Sequence, residues 1–450
     1  MYIDRSIDIC LEEWAAESGR KPLLLRGARQ IGKTTAVRHL AEKFDSFVEV
    51  NFEEDDGVAA IFDRDFDIRR ILSAIETHKD TKIDQGRTLL FLDEIQLCPR
   101  AISSLRYFYE KCPDLHVVAT GSLLEFAFGD ISDFGVGRIR NAFMHPLSFA
   151  EFVSAMGGGI ALGHAREASF ESPFFDGGHE KMLEYLKTFM IVGGMPAAVR
   201  KYIETGSLLA AQRQHRDILV SLRSDFGKYK KRIPASRILS TFQSVLDQAG
   251  EKFTFSDSEA GIDYRQAKEC TTLLEMARLV YRIGATNANG IPLGGDLKKK
   301  DCKYLPLDTG LYLTAAGLDL SSWILDPPAK FVNRGKLAEM FVALELAKSG
   351  SPLDEKRLFY WHREARNSNA EVDNIVQFRN RVLPIEVKSG RKGSMTSLRM
   401  LMEAKNLSLA VRTSEENFGI IDGKVYIIPL YMIGEYERIL RAASLGNDDL

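Results

Sequence analysis

Leu23-Leu24-Leu25-Arg26-Gly27-Ala28-Arg29-Gln30-Ile31-Gly32-Lys33-Thr34-Thr35 is the stretch that decides the fold. Its leucines read as a short buried strand, Gly27 to Thr34 fits Gly-x4-Gly-Lys-Ser/Thr, and Thr35–Phe44 has helical character. A strand, a glycine-punctuated loop and a helix make a cradle for phosphate. The spacing predicts that the backbone N–H groups of Gly27, Ala28, Arg29, Gln30, Ile31 and Gly32 wrap the phosphates and that Thr35 continues the contact into the helix. Lys33 should reach the β and γ oxygens, and the Thr34 hydroxyl should coordinate Mg²⁺.

Downstream, Leu89-Leu90-Phe91-Leu92-Asp93-Glu94 reads as a buried parallel strand that delivers two carboxylates at its C-terminal end, where α/β sheets take their ligands. Asp93 is expected to hold Mg²⁺ through water, and Glu94 to orient or deprotonate the attacking water. The next strand, His116–Ala119, runs into Thr120-Gly121-Ser122, whose polar groups are placed to sense the γ-phosphate. In Gly137-Arg138-Ile139-Arg140 either arginine could stabilise transition-state charge. Thr81-Lys82-Ile83-Asp84 looks like a guanine reader, but it precedes the Asp93 strand, and Asp93-Glu94-Ile95-Gln96 lacks the glycine of a GTPase switch. ATP is therefore the expected nucleotide.

Leu23–Leu25, Phe47–Val50, Leu89–Leu92 and His116–Ala119 alternate with helical stretches over residues 1–145, the rhythm of a parallel α/β sheet. Together with Pro146-Leu147-Ser148-Phe149-Ala150-Glu151-Phe152, these motifs resemble the AAA-type ATPases among prokaryotic ATP-binding proteins. Gly193-Gly194-Met195-Pro196, Asp308-Thr309-Gly310-Leu311 and the region from Gly335 extend the similarity over nearly the whole chain. The resemblance implies AAA-like geometry with Thr120 or Ser122 as sensor and Arg138 as the arginine most worth testing. In that family the ATPase core is followed by a domain of unknown function that includes a nuclease-like fold.

Within the C-terminal region, Glu371-Val372-Asp373 is expected to open a strand, Phe378-Arg379-Asn380-Arg381 to turn, and Val382–Lys388 to return. A period of two puts Glu386 and Lys388 on one face. Asp373 and Glu386 could then share a divalent metal, Mg²⁺ or Mn²⁺, beside Lys388 as the charge stabiliser. The helix predicted at Lys336–Lys348 is apolar on both faces, which argues for burial and gives Glu339 a reason to join the same metal. Glu339, Asp373, Glu386 and Lys388 in this order resemble the PD-(D/E)xK restriction-endonuclease fold.

Between these regions, residues 146–205 read as a helical lid interrupted by a loop from Gly157 to Gly178. Helices at Ser236–Gln248 and Tyr264–Leu279, the latter capped by Asp263 with Gln266 three residues on, precede two short strands, Val280–Ile283 and Lys303–Leu305, placed to pair as a wing. Together they resemble a winged helix. Arg223, Lys228, Lys230, Lys231 and Arg232, with Lys298-Lys299-Lys300 near the wing, gather positive charge suited to phosphate. Asp326-Pro327-Pro328 reads as a linker.

The fold class expected is thus α/β: a P-loop AAA-type core (1–145), a helical lid (146–205), a winged-helix-like domain (206–325) and a restriction-endonuclease-like α/β domain (330–450). Composition agrees with a globular chain: 450 residues, 45% hydrophobic and 27% charged. A net charge of -2 means that any contact with DNA must rest on local basic patches. Five scattered cysteines suit a reducing compartment better than a disulfide framework or a zinc site. Acidic residues through the first twenty positions and the lack of a bilayer-length apolar run lead to the expectation of a cytoplasmic protein that makes no membrane contact. The partners expected are ATP, DNA, and either further copies of the chain or another protein. Two functional classes fit these features: an ATP-dependent switch or motor coupled to DNA binding or cleavage, and a signalling-type regulatory ATPase whose C-terminal fold is a scaffold.

Overall fold

Strands β1 (Leu23–Arg26), β2 (Ser46–Asn51), β3 (Thr88–Asp93), β4 (His116–Gly121) and β5 (Arg140–Phe143) make one parallel sheet in the order β2-β3-β4-β1-β5. Every residue of β3 and β4 is buried, which requires cover on both faces. Alternate side chains divide between two cores. Leu23, Leu25, Leu89 and Phe91 join Ile7, Leu11, Trp14, Val37 and Leu40 on one face. Leu24, Leu90, Leu92, Val117 and Ala119 join Ile71, Ile75, Leu105 and Phe108 on the other. This computed structural model describes residues 2–55, 57–122, 124, 137–229, 233–255, 263–317, 334–363, 369–390 and 393–443, without the side chains of 228, 229, 299 and 334. The Asp326-Pro327-Pro328 linker, Lys230, Lys231 and Arg232, and the side chains of Lys228 and Lys299, lie outside the described residues.

A second, eight-stranded sheet is built from β6 (Val280–Thr286), β7 (Leu297–Pro306), β8 (Leu358–Arg363), β9 (Ala370–Phe378), β10 (Arg381–Val387), β11 (Ala410–Ser414), β12 (Gly419–Ile421) and β13 (Val425–Pro429). The expected pairing of the middle strands occurs, with Tyr281 opposite Leu305. The hairpin is not a free-standing wing, however: β6 pairs in parallel with β8, so the order runs β12-β13-β11-β10-β9-β8-β6-β7. The β9–β10 hairpin forms as expected, with Leu383 opposite Val376. Beyond the helix Thr396–Lys405 the chain adds β11, β12 and β13, and a final helix, Tyr436–Ala443, follows. Strand β12 carries little sequence signal, being three residues long and at the sheet edge, where pairing supplies what patterning does not.

The helix Arg334–Lys348 is buried on both faces, as its double apolar stripe predicts, and Phe341 meets Phe149 and Phe189 edge-to-face at 6.1 and 6.0 Å. The stretch from Gly157 to Gly178 is not one loop. Helix Gly159–Glu167 forms inside it by burying Leu162 and Ala165, a tertiary gain that outweighs the local glycine content.

Two buried carboxylates join these elements. Glu151 caps its own helix with Ser148, pairs with Arg5 and accepts from the Ser6 N–H at 2.6 Å. Burial alone would raise its pKa, but Arg5 and the bonds from Ser6 and Ser148 prevail and hold it below the usual glutamate value. Arg5 in turn donates to Ile31 O and His145 O, fixing the back of the phosphate loop. Asp308 accepts from Gly194 N at 2.6 Å and Leu311 N at 2.9 Å. A Cβ on Gly193 would lie 2.2 Å from its Oδ1, so the Gly193-Gly194 and Asp308-Thr309-Gly310 motifs form one clasp. All five cysteines are buried free thiols, and among the described residues no helix is long and apolar enough to cross a membrane.

Candidate functional site

The phosphate loop leaves β1 at Gly27, where a Cβ would sit 2.4 Å from Met144 O, and enters the helix Lys33–Ala41 through Gly32 at φ +97°. Only glycine meets the first constraint without displacing the backbone just after β5, and the second lies where L side chains are strained. Lys33 is nearly buried and its ammonium donates to Ala28 O at 2.7 Å and Gly27 O at 3.1 Å. Burial pulls its pKa down to about 8, against the opposing pull of Glu94 and Asp93. Thr34 Oγ1 donates to Asp93 Oδ2 at 2.8 Å, so the two residues expected to hold magnesium meet.

Strand β4 lies between β1 and β3 and places Thr120 opposite Leu25. The Thr120 hydroxyl donates to Asp93 Oδ1, which also accepts the Glu94 N–H. Ser122 is buried just beyond, whereas Thr35 is exposed on its helix. Glu94 occupies the left-handed region at φ 51°, a conformation that costs a non-glycine residue about 1–3 kcal/mol and clusters at working sites. Gln96 Nε2 donates to Glu94 Oε2 at 2.5 Å, and a Cβ on Gly121 would strike Gln96 Oε1 at 2.3 Å. Gln96 is a site residue that the sequence offered only as part of Asp-Glu-x-Gln, without a role.

Arg138 and Arg140 do not approach this site within their own chain. Arg140 opens β5 opposite Leu23, at the end of the sheet away from the loop, and pairs with Glu17, while Arg138 pairs with Glu110. The arginine at the loop is Arg29, whose guanidinium pairs with Asp225 on the helix Leu208–Tyr229 and with Glu53. Neither acid carries a sequence signal, since both reach the loop from distant elements.

In the second sheet, Asp373, Glu386 and Glu339 come within one electrostatic neighbourhood. Burial raises all three carboxyl pKa values, Asp373 well above its ordinary value; Glu339 and Glu386 push it further, and Glu371 and Glu386 act likewise on Glu339. Asp373 Oδ2 accepts from Val387 N at 2.7 Å, and Glu386 Oε1 accepts from Lys388 Nζ at 2.6 Å. Glu386 Oε2 is buried without a hydrogen-bond partner. Among the described residues no group of three His, Cys, Asp or Glu side chains is close enough to hold a metal ion as they stand. Lys303, from β7, is a residue that sequence reading missed here: nearly buried, it pairs with Glu371 beside the three acids. Of the basic groups expected to face phosphate, Arg223 is exposed, and Lys298 Nζ donates to His362 O.

Residues 19–153 match the sequence model of an AAA domain. Residues 183–322 and 334–433 match two domains of unknown function, DUF8612 and DUF4143. No curated protein matches the chain. Similar solved structures include a Walker-type ATPase of Pyrococcus abyssi, at 13% identity and TM-score 0.45, over 70% of this chain and 96% of that one. Another is Cdc6p of Pyrobaculum aerophilum, at 13% identity and TM-score 0.26, over 69% and 91%. A third is a signal-transduction ATPase with a tetratricopeptide-repeat sensor from Pyrococcus horikoshii, at 13% identity and TM-score 0.28, over 78% of this chain and 46% of that one. With its glycine-bounded loop, Lys33, and the meeting of Thr34 and Asp93, the stretch from 19 to 153 is an AAA-type P-loop ATPase domain.

Proposed function

We propose that the protein is an ATP-hydrolysing switch coupled to DNA, with a C-terminal site in which Glu339, Asp373 and Glu386 take a divalent cation. The observation that carries the nucleotide half is the 2.8 Å contact between Thr34 Oγ1 and Asp93 Oδ2, two hard oxygen donors of the kind Mg²⁺ selects. Thr34 and Asp93 would hold the ion, which would supply positive charge against the phosphates when bound. Lys33 supplies positive charge at the β and γ oxygens, and the loop N–H groups orient the chain of phosphates. Glu94, fixed by Gln96, accepts the proton of the attacking water. Thr120 registers the γ-phosphate, a role supported by its bond to Asp93.

The C-terminal half of the reading is supported by the buried Glu386 and the half-buried Glu339 and Asp373, with Glu339 and Glu386 both raising the Asp373 pKa, and by the unpartnered Glu386 Oε2. A hard cation, Mg²⁺ or Mn²⁺, satisfies such oxygens, and Lys388 stands at Glu386 to meet developing phosphate charge. A second reading, a regulatory ATPase acting on protein partners with this sheet as scaffold, is favoured by Lys303, an internal cation already beside the cluster. Incubation of the full chain with plasmid, linear and single-stranded DNA, with and without ATP and Mg²⁺ or Mn²⁺, separates the two. Metal-dependent cleavage lost in Asp373→Asn supports the nuclease reading, and intact DNA in every arm supports the scaffold.

A further inference from the structure

We infer that Asp225 positions the Arg29 guanidinium at the terminal phosphate of the nucleotide, so that a helix outside the matched AAA stretch completes the ATP site. The inference rests on the proposed ATPase chemistry and adds a residue from the middle of the chain to it.

Arg29 belongs to the phosphate loop itself, two residues after Gly27, so its backbone is fixed where phosphate must lie. Its guanidinium has two acidic partners of different character. Nη1 pairs with Asp225 Oδ2, whose side chain is 6% exposed, whereas Nη2 is 3.3 Å from Glu53 Oε2, whose side chain is 46% exposed. A buried carboxylate is costly to strip of its cation, while an exposed pair at that distance contributes little. An arriving phosphate therefore displaces Glu53 and leaves Asp225 in place. The planar fork allows this, because one arm can stay on a carboxylate while the other donors turn to phosphate oxygens. Arg29 also lies close enough to Lys33 and Glu94 to be felt by both charges.

The neighbouring loop residue repeats the connection. Gln30 Nε2 donates to Ser221 Oγ at 2.9 Å, and Ser221 and Asp225 lie four residues apart on one face of the helix Leu208–Tyr229. Two consecutive loop residues thus grip one helix face. Arg29 is the charge that meets ATP, and Asp225 is a positioning residue that holds the fork in register.

The test is calorimetric titration of ATP–Mg²⁺ and ADP–Mg²⁺ with steady-state hydrolysis and thermal unfolding, on Arg29→Ala, Asp225→Asn, Asp225→Glu and the Arg29→Ala/Asp225→Asn double variant. Arg29→Ala should lower kcat roughly a hundredfold and weaken ATP about tenfold, with ADP affinity nearly unchanged. Asp225→Asn should reproduce the loss of kcat, Asp225→Glu should restore part of it, and the double variant should be no worse than Arg29→Ala alone. A purely structural role for Asp225 would lower ATP and ADP affinity together. Wild-type kcat and ATP preference in a folded Asp225→Asn protein, or additive losses in the double variant, overturn the proposal. If Asp225→Asn fails to fold, Arg29→Gln still reads the ratio of ATP to ADP affinity, and an unchanged ratio overturns it equally. Failure of the underlying ATPase reading looks different: Lys33→Ala would then bind both nucleotides as the wild type does.

Discussion

Thr34 Oγ1 and Asp93 Oδ2 lie 2.8 Å apart although 59 residues separate them in the chain. Parallel pairing of β4 with both β1 and β3 brings the loop and the acidic strand end to one edge of the sheet, and Thr120, at the end of β4, bonds the same carboxylate.

The division of labour at that edge predicts distinct variants. Lys33→Ala should abolish nucleotide binding. Glu94→Gln should bind ATP normally while kcat falls by roughly 10²-fold or more, and Gln96→Ala should lose about tenfold by leaving Glu94 unaimed. Equilibrium binding with fluorescent ATP and phosphate-release assays check all three. A wild-type hydrolysis rate in Glu94→Gln removes that residue from the chemistry.

Arg138 and Arg140 are paired with Glu110 and Glu17 at the far end of their own sheet, so either can serve ATP only across a subunit boundary. We expect a mixture of Lys33→Ala and Arg138→Ala chains to recover part of the hydrolysis that each lacks, because one supplies an intact site and the other an intact arginine. Full activity of wild-type protein that light scattering finds monomeric at the assay concentration contradicts this.

Glu151 predicts a signature in stability. Its folded pKa is held below the ordinary value of 4.5, so its contribution is present above that value and is lost as pH falls through the folded pKa. Glu151→Gln leaves Arg5 buried without its charge partner and should cost roughly 3–5 kcal/mol near neutral pH. Urea unfolding from pH 7 down to pH 3 should find the gap between variant and wild type closing with acid. A gap that stays constant would show that the ion pair contributes nothing.

Glu339, Asp373 and Glu386 carry the opposite sign. Their pKa values are raised, so the stability they contribute is complete below the ordinary carboxylate range and is lost as pH rises through the folded values. A divalent cation offsets that loss, so Mn²⁺ should raise the melting temperature of the full chain more at pH 8 than at pH 5.5. Asp373→Asn with Glu386→Gln should remove this increment while ATP hydrolysis continues, because Asp93 ends a strand of the other sheet and Thr34 meets it there from the helix Lys33–Ala41. An equal Mn²⁺ shift in wild type and double variant sinks the C-terminal metal site.

Sequence alone determined the features that local covalent pattern dictates. Gly27 and Gly32 bound a loop that only glycine can close, Leu89–Leu92 must be covered on both faces, and the double stripe of Leu337, Met340, Phe341 and Leu344 with Val342, Ala343 and Leu346 must be buried. These are properties of neighbouring residues, set by backbone conformation and by apolar periodicity. Tertiary structure decided what depends on long-range pairing. The expected wing became the edge of an eight-stranded sheet because β6 found β8, and with it Lys303 came to the acidic cluster. Arg29 stands in the phosphate loop by sequence, but its guanidinium is held there by Asp225, nearly two hundred residues away, while Arg140 starts its strand at the wrong end. Charge partners carry no periodicity and no propensity, so which carboxylate meets which cation is fixed only once the chain has folded around them.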